Sequence, residues 1–126
     1  MKINKVAVSS KDLTTSVKFY QILGFEFPEF EEDEQHLESI NTNEGSTLMI
    51  DTDKLLEEIS HMTPRPGSHS AFAIEYSTKE EVDKIAQLLE GHNFTVFKQP
   101  WEAFWGQYYC IVEDPYNHKI DLYVNL

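Results

Sequence analysis

The chain has 126 residues, 40% of them hydrophobic and 13% aromatic, which is one globular domain by length and excludes a disordered chain despite a mean hydropathy of -0.44. Its 22 acidic and 10 basic residues give a net charge of -12, a field that repels phosphate backbones and excludes nucleic acid as a partner. No apolar run is long enough to span a bilayer and Met1 leads straight into polar sequence, so a cytoplasmic protein that engages no membrane is expected.

Residues Ile3 to Ser9 alternate apolar with polar or small side chains, the pattern of a half-buried strand. Asp12 then offers an N-cap to a helix whose Leu13, Val17, Tyr20 and Leu23 recur on one face, and Gly24 stops it. Strands are predicted over Phe25 to Glu29, His36 to Asn41 and Ser46 to Asp51, with Gly45 turning between the last two. Glu26, Glu29, Glu31, Glu32, Asp33 and Glu34 read as a solvated loop. The order is β-α-β-β-β.

Residues 53–66 form a linker, with a short helical piece, LLEEI, and the breaker cluster TPRPG. The order then repeats. Ser68 to Tyr76 alternates as a strand, Ser77 or Thr78 caps a helix with Val82, Ile85, Ala86 and Leu89 on its apolar face, and Gly91 ends it. Phe94 to Phe97, Gln107 to Glu113 and Lys119 to Val124 supply three more strands. The single domain 1–126 is thus module one (1–52), the linker (53–66) and module two (67–126), a unit written twice.

An amphipathic helix on antiparallel-rich strands gives an α+β fold, with the helices on the outer face of a sheet whose other face can curve into a cup. The period of two assigns sides. Phe72, Ile74, Ile120, Leu122 and Val124 go toward the helix, leaving His69, Ala71, Ala73, Glu75, Lys119, Asp121 and Tyr123 on the cup side. The single cysteine, Cys110, lies in an apolar run and reads as a buried thiol rather than a nucleophile.

Three stretches, VAVSSKDLTTSVKFYQILGFEF, HSAFAIEY and WGQYYCIVEDPYNHKIDLY, cover nearly the whole chain. They resemble the vicinal oxygen chelate superfamily, the fold of glyoxalase I, type I extradiol dioxygenases and the bleomycin-resistance proteins. The last is similar to the family ending DPxGNxIEL, with Tyr116, His118 and Asp121 as variants. The resemblance implies two tandem βαβββ modules in an open-sided cup. It also implies a homodimer and, in metal-dependent members, a divalent ion held by first and last strands of the modules.

Carried over by that resemblance, the first-strand donors fall on Lys5 and His69 and the last-strand donors on Met49 and Asp121. A divalent ion needs three or more good donors; an ammonium repels it and a thioether suits Cu(I). No metal cofactor is therefore expected, and His69 and Asp121 are expected to form a hydrogen-bonded or salt-bridged pair, balanced by Lys5. The alternative is a metal-dependent lyase or dioxygenase with one divalent ion on His69, Asp121 and a further donor such as Glu75. His36, His61, His92 and His118 read as surface, linker or turn histidines.

Ahead of the last hairpin, PWEAFWGQYY gathers Trp101, Phe104, Trp105, Tyr108 and Tyr109. Such a cluster either packs a core or interface, or stacks a flat ligand. The placement resembles the resistance-type members, in which aromatic residues line the ligand groove. The leading expectation is a non-enzymatic binding protein for a small flat or cationic organic molecule, using Lys5, Met49, His69, Trp101, Trp105, Tyr108, Asp121 and Tyr123. A cup that serves only as a dimer scaffold or protein-partner surface is a third possibility.

Overall fold

The computed structural model describes residues 1–40 and 45–126. They form two compact units, Met1–Pro66 and Gly67–Leu126, each α+β with sheet strands of mixed direction.

In the first unit β1 (Lys5–Ser10) is followed by α1 (Leu13–Leu23), β2 (His36–Glu38), β3 (Thr47–Thr52) and α2 (Asp53–Ser60). Asp12 caps α1 by accepting from the Thr15 amide at 3.1 Å, and Gly24 ends it at φ 113°, a left-handed conformation that glycine adopts without strain. Leu13, Val17, Phe19, Tyr20 and Leu23 are buried on its inner face. The sheet order is β1-β3-β2, with β1 parallel to β3. Val8, Leu48 and Ile50 are buried on the α1 side, where Ser10 and Ser16 hydroxyls join β1 to α1 at 2.7 Å. Lys5, Ser9, Met49, Asp51, His36 and Glu38 take the opposite face.

The predicted strand over Phe25 to Glu29 does not form; among the described residues one bridge, Glu26 to Ile40, is all that pairs there. Pro28 lacks the amide that a ladder needs, and the run of carboxylates beyond it favours solvent. The strand predicted over His36 to Asn41 is seen as β2, and its last residue, Asn41, lies outside the described residues. The helical piece of the linker extends to the whole of α2, capped by Thr52.

The second unit has β4 (Phe72–Glu75), α3 (Lys79–Gly91), β5 (Thr95–Ala103), β6 (Gln107–Glu113) and β7 (Lys119–Asn125). Its sheet order is β4-β7-β6-β5, again with the first strand parallel to the last. Thr78 and Glu81 form a reciprocal capping box at the start of α3. The helix ends at Gly91, its last residue, and His92 closes it by turning Nδ1 to the Leu88 carbonyl at 2.8 Å. Val82, Ile85, Ala86 and Leu89 meet a sheet face on which Cys110, Val112, Ile120 and Leu122 are fully buried.

Strand β5 is much longer than the expected Phe94 to Phe97, because it is an edge strand and carries two register shifts, between Val96 and Lys98 and between Lys98 and Trp101. An edge tolerates Pro100, which a central strand would not. Conversely, Ser68 to Ser70 do not join β4, which starts only at Phe72. The β6–β7 turn is closed by Asp114, whose side chain accepts from the Tyr116 and His118 amides at 2.9 and 3.0 Å. That turn fixes the register in which Tyr109 faces Tyr123 and Ile111 faces Asp121.

Candidate functional site

Cross-strand pairing puts Trp101, Tyr109, Tyr123 and Glu75 in one row, and Lys98, Ile111, Asp121 and Ala73 in the next, on the face away from α3. The aromatic residues meet as a connected group. Trp101 lies 6.0 Å from Trp105 and 5.6 Å from Tyr109, both edge to face. Trp105 lies 5.2 Å from Tyr109 and 5.1 Å from Phe104. Tyr109 stacks on Tyr123 at 6.1 Å with planes 22° apart. These are the offset and T-shaped arrangements that ring quadrupoles prefer.

Polar groups hold the cluster in place. Trp105 Nε1 donates to Gln107 at 2.8 Å, Gln107 donates to Asn125 at 2.9 Å, and Asn125 donates to Glu75 at 3.1 Å. This rail crosses β6, β7 and β4. Asp121 accepts from two hydroxyls, those of Ser70 and Tyr109. Removal from water, followed by the hydrogen bond to Asp121, raises the Tyr109 phenol far above its ordinary value, so it stays a neutral donor. Two ammonium groups stand over ring faces of the same side, Lys98 Nζ 4.1 Å from the Trp101 centroid and Lys119 Nζ 4.9 Å from that of Phe97.

The corresponding face of the first unit is ionic. Lys5 Nζ pairs with Glu38 at 2.9 Å, His36 Nε2 reaches Glu38 at 2.8 Å, and His36 Nδ1 reaches Asp51 at 2.5 Å. The hydrogen bond to Asp51, then that to Glu38, raises the His36 pKa against the opposing effect of burial. Lys5 and then His36 lower that of Glu38.

Several expected site residues come together here and others do not. Trp101, Trp105, Asp121 and Tyr123 share the aromatic face. Tyr108 belongs to the other side of the sheet: its hydroxyl donates to Asp83 of α3 at 2.5 Å, which pushes its pKa up to about 12, and Lys79 caps its ring. The expected pair of His69 and Asp121 does not form. His69 is exposed and places Nδ1 3.2 Å from the neighbouring Ser70 carbonyl, while Ser70 and Tyr109 take the carboxylate. Nor does Lys5 balance Asp121; its partner is Glu38.

Tyr109 belongs to the expected aromatic cluster but not to the expected ligand contacts, and Ser70 and Lys98 are in neither. Alternation reveals Tyr109, since buried Cys110 and Val112 fix the helix side of β6 and leave 109 and 111 opposite. No comparable signal marks Lys98, which reaches this face only through the β5 bulges. His36, expected as a surface histidine, is held between two carboxylates. Cys110 is fully buried as expected, and burial pushes its thiol up to about 12.

The four positions that the family resemblance assigns to metal donors do not fit a divalent ion. Lys5 is an ion-paired ammonium, Met49 is a thioether, and Asp121 has both oxygens bonded to hydroxyls. Among the described residues no group of three or more His, Cys, Asp or Glu is placed to hold a metal, so His69, Glu75 and Asp121 do not make one.

The model of the Glyoxalase/Bleomycin resistance protein/Dioxygenase superfamily matches residues 2–122. The chain belongs to this superfamily. Solved structures with the same fold include a glyoxalase-related enzyme from Fulvimarina pelagi, with TM-score 0.83 and 19% identity over 99% of this chain and 88% of that one. A family enzyme from Burkholderia phytofirmans PsJN gives 0.82 and 19%, covering all of both chains. A lactoylglutathione lyase from Agrobacterium tumefaciens gives 0.69 and 18%, over 98% and 92%. At these identities the likeness is one of fold. No curated protein matches the sequence. Among the described residues no helix is long and apolar enough to cross a membrane.

Proposed function

We propose that this superfamily member is a non-enzymatic binding protein for a small organic molecule, which it holds by stacking on the aromatic face of β5, β6 and β7 without a metal. The observation that carries this reading is the connected group of Trp101, Trp105, Tyr109 and Tyr123, half-buried or exposed on a sheet face rather than packed in the core. Residues that serve only the core are sealed, as Leu122 and Val112 are. Flatness is what such rings select. A cationic head would find Lys98 and Lys119 already seated over two ring faces. Asp121, Ser70 and the rail from Trp105 to Glu75 supply polar edges to orient a ligand. A homodimer in the cytoplasm is the setting proposed for it, from the superfamily's habit and the composition.

Both tryptophans of the chain lie in this cluster, so their fluorescence reports on it alone. Titration with a panel of flat aromatic compounds is expected to give saturable quenching. Tyr109→Leu is expected to weaken it by up to about tenfold, the loss of about 0.5–1.5 kcal/mol of ring contact. Absence of saturable quenching across the panel would defeat this reading, as would a stoichiometric transition ion in the purified protein that disappears on His69→Ala.

A further inference from the structure

Hydrogen-bonding capacity on the aromatic face of the second unit is unevenly distributed. The carboxylates there are engaged by neutral donors: Asp121 by Ser70 and Tyr109, Glu75 by the Asn125 amide at 3.1 Å, and Glu113 by the Asn117 amide at 2.8 Å. The ammonium groups are not so engaged. Neither Lys98 nor Lys119 has an ion pair or hydrogen-bond acceptor among the described residues; each is held over a ring instead. A ring face attracts the charge of an ammonium but leaves its three N–H donors without a strong acceptor. Each acid holds at least one neutral donor, and the cations keep open donors.

The backbone sets Lys98 apart from Lys119. In an uninterrupted strand residues 98 and 101 would point to opposite faces. The register shift between them pairs Lys98 with Ile111 and Trp101 with Tyr109, so both take the same face and Nζ comes 4.1 Å from the Trp101 centroid. Trp101 is itself in ring contact with Trp105 and Tyr109. The open ammonium is therefore at the rim of the stacking cluster.

We propose that Lys98 selects the charge of the ligand: the site takes a flat aromatic anion, its ring against Trp101 and Tyr109 and its carboxylate or similar acidic group on Lys98 Nζ. This rests on the stacking seat proposed above and adds to it the sign of the ligand's charge. Two acids on this face could oppose an anion here. Glu113 lies diagonally across from Lys98 on β6, about 8 Å away by cross-strand geometry, and Asp121 lies two strands away in the row Lys98, Ile111, Asp121, about 10 Å by strand spacing. Each is roughly a screening length at physiological salt, whereas a charge-assisted contact to Lys98 acts at about 2.8 Å. The contact wins locally, and the net charge of -12 slows the anion's approach more than it weakens the bound state.

The test uses two shape-matched series, indole-3-acetate, indole-3-acetamide and tryptamine, and the corresponding naphthalene acetate, acetamide and ethylamine. Binding is read from the Trp101 and Trp105 indole N–H resonances of the whole chain. In each series the acetate is expected to bind about tenfold more tightly than the amine, with the amide between. Lys98→Gln is expected to bring the acetate down to the amide's level while changing the amide by less than about twofold, and Lys98→Arg to keep the preference. Lys98 is exposed, and the rest of the spectrum reports that the variants are folded. An amine that binds as well as the acetate, or an acetate-to-amide ratio unmoved by Lys98→Gln, overturns the assignment while the stacking seat stands. Failure of all six compounds to shift either tryptophan overturns the seat and this inference together.

Discussion

The two units share one frame, with a first strand parallel to the last and a capped helix on one face, yet their other faces have opposite chemistry. In the first, Lys5, Glu38, His36 and Asp51 pair with one another in a chain of ionic contacts, with no Phe, Tyr or Trp among them. In the second, rings form the surface, and the one central acid, Asp121, is neutralised in hydrogen-bonding terms by hydroxyls. An ionic face whose charged groups already pair with one another offers less to a ligand, since each charge has an opposite partner in place. A face of rings keeps its capacity, because stacking on one side of a ring leaves the other available. Helix-facing residues are held by the core, whereas those on the other face are free to diverge.

The helix sides should therefore break alike. Ile50→Ala and Leu122→Ala each empty a site with 0% exposure, and each is expected to lose about 2–5 kcal/mol of stability in urea denaturation. A cost below about 1 kcal/mol for either would mean that the two cores are not equivalent. The other faces should break differently. Asp121→Ala leaves the Ser70 and Tyr109 hydroxyls without their acceptor and is expected to cost about 1–3 kcal/mol. In the same variant the Tyr109 phenol should titrate lower than in the parent, though still above an ordinary tyrosine, because burial is the larger cause of its shift. Spectrophotometric titration reads this directly.

Smaller effects sharpen the comparison. Asp12→Ala and Thr78→Ala remove the equivalent helix caps, and each should cost about 0.5–2 kcal/mol. Thr78→Ala should cost the more, because its capping box fails in both directions. The smallest effect is that of His36. Its pKa is raised in the folded chain by Asp51 and Glu38, so its contribution is complete below the unfolded value of about 6.5 and is lost as pH rises through the folded value. At 43% side-chain exposure solvent screening keeps this under about 1 kcal/mol. Denaturation midpoints measured across that window should fall with rising pH, less so in high salt, and His36→Gln should flatten the slope.

Much of the frame was legible in the sequence because it rests on local rules. Asp12, Gly24 and the apolar faces of α1 and α3 follow from spacing and side-chain chemistry alone and appear as read, and of the two caps open for α3, Ser77 and Thr78, it is Thr78 that serves. The strand over Phe25 to Glu29 failed where hydrophobic character outweighed Pro28, a residue whose missing amide should have decided the matter. The site was legible in part. Trp101, Trp105, Asp121 and Tyr123 were found from alternation and composition. Composition alone gathers Tyr108 and Tyr109 together, and it is the parity set by the buried Cys110 between Tyr109 and Ile111 that gives Tyr109 to the aromatic face and Tyr108 to the other. Lys98 could not be reached in this way, since a bulge cancels the period of two on which such reading depends. The partners of Asp121 and His36 are matters of three-dimensional neighbourhood, with Ser70 fifty-one positions from Asp121 in the chain.

The two register shifts in β5 have a consequence for how such a protein could change its specificity. They lie on the edge strand, where a gained or lost residue disturbs one ladder instead of two. Straightening the shift between Lys98 and Trp101 with the number of residues unchanged would turn the two side chains to opposite faces, taking Lys98 out of the seat while β6 and β7 keep their pairing. Within this duplicated architecture, changes of register at the margin offer a route to new selectivity that leaves the apolar interior, and hence foldability, intact.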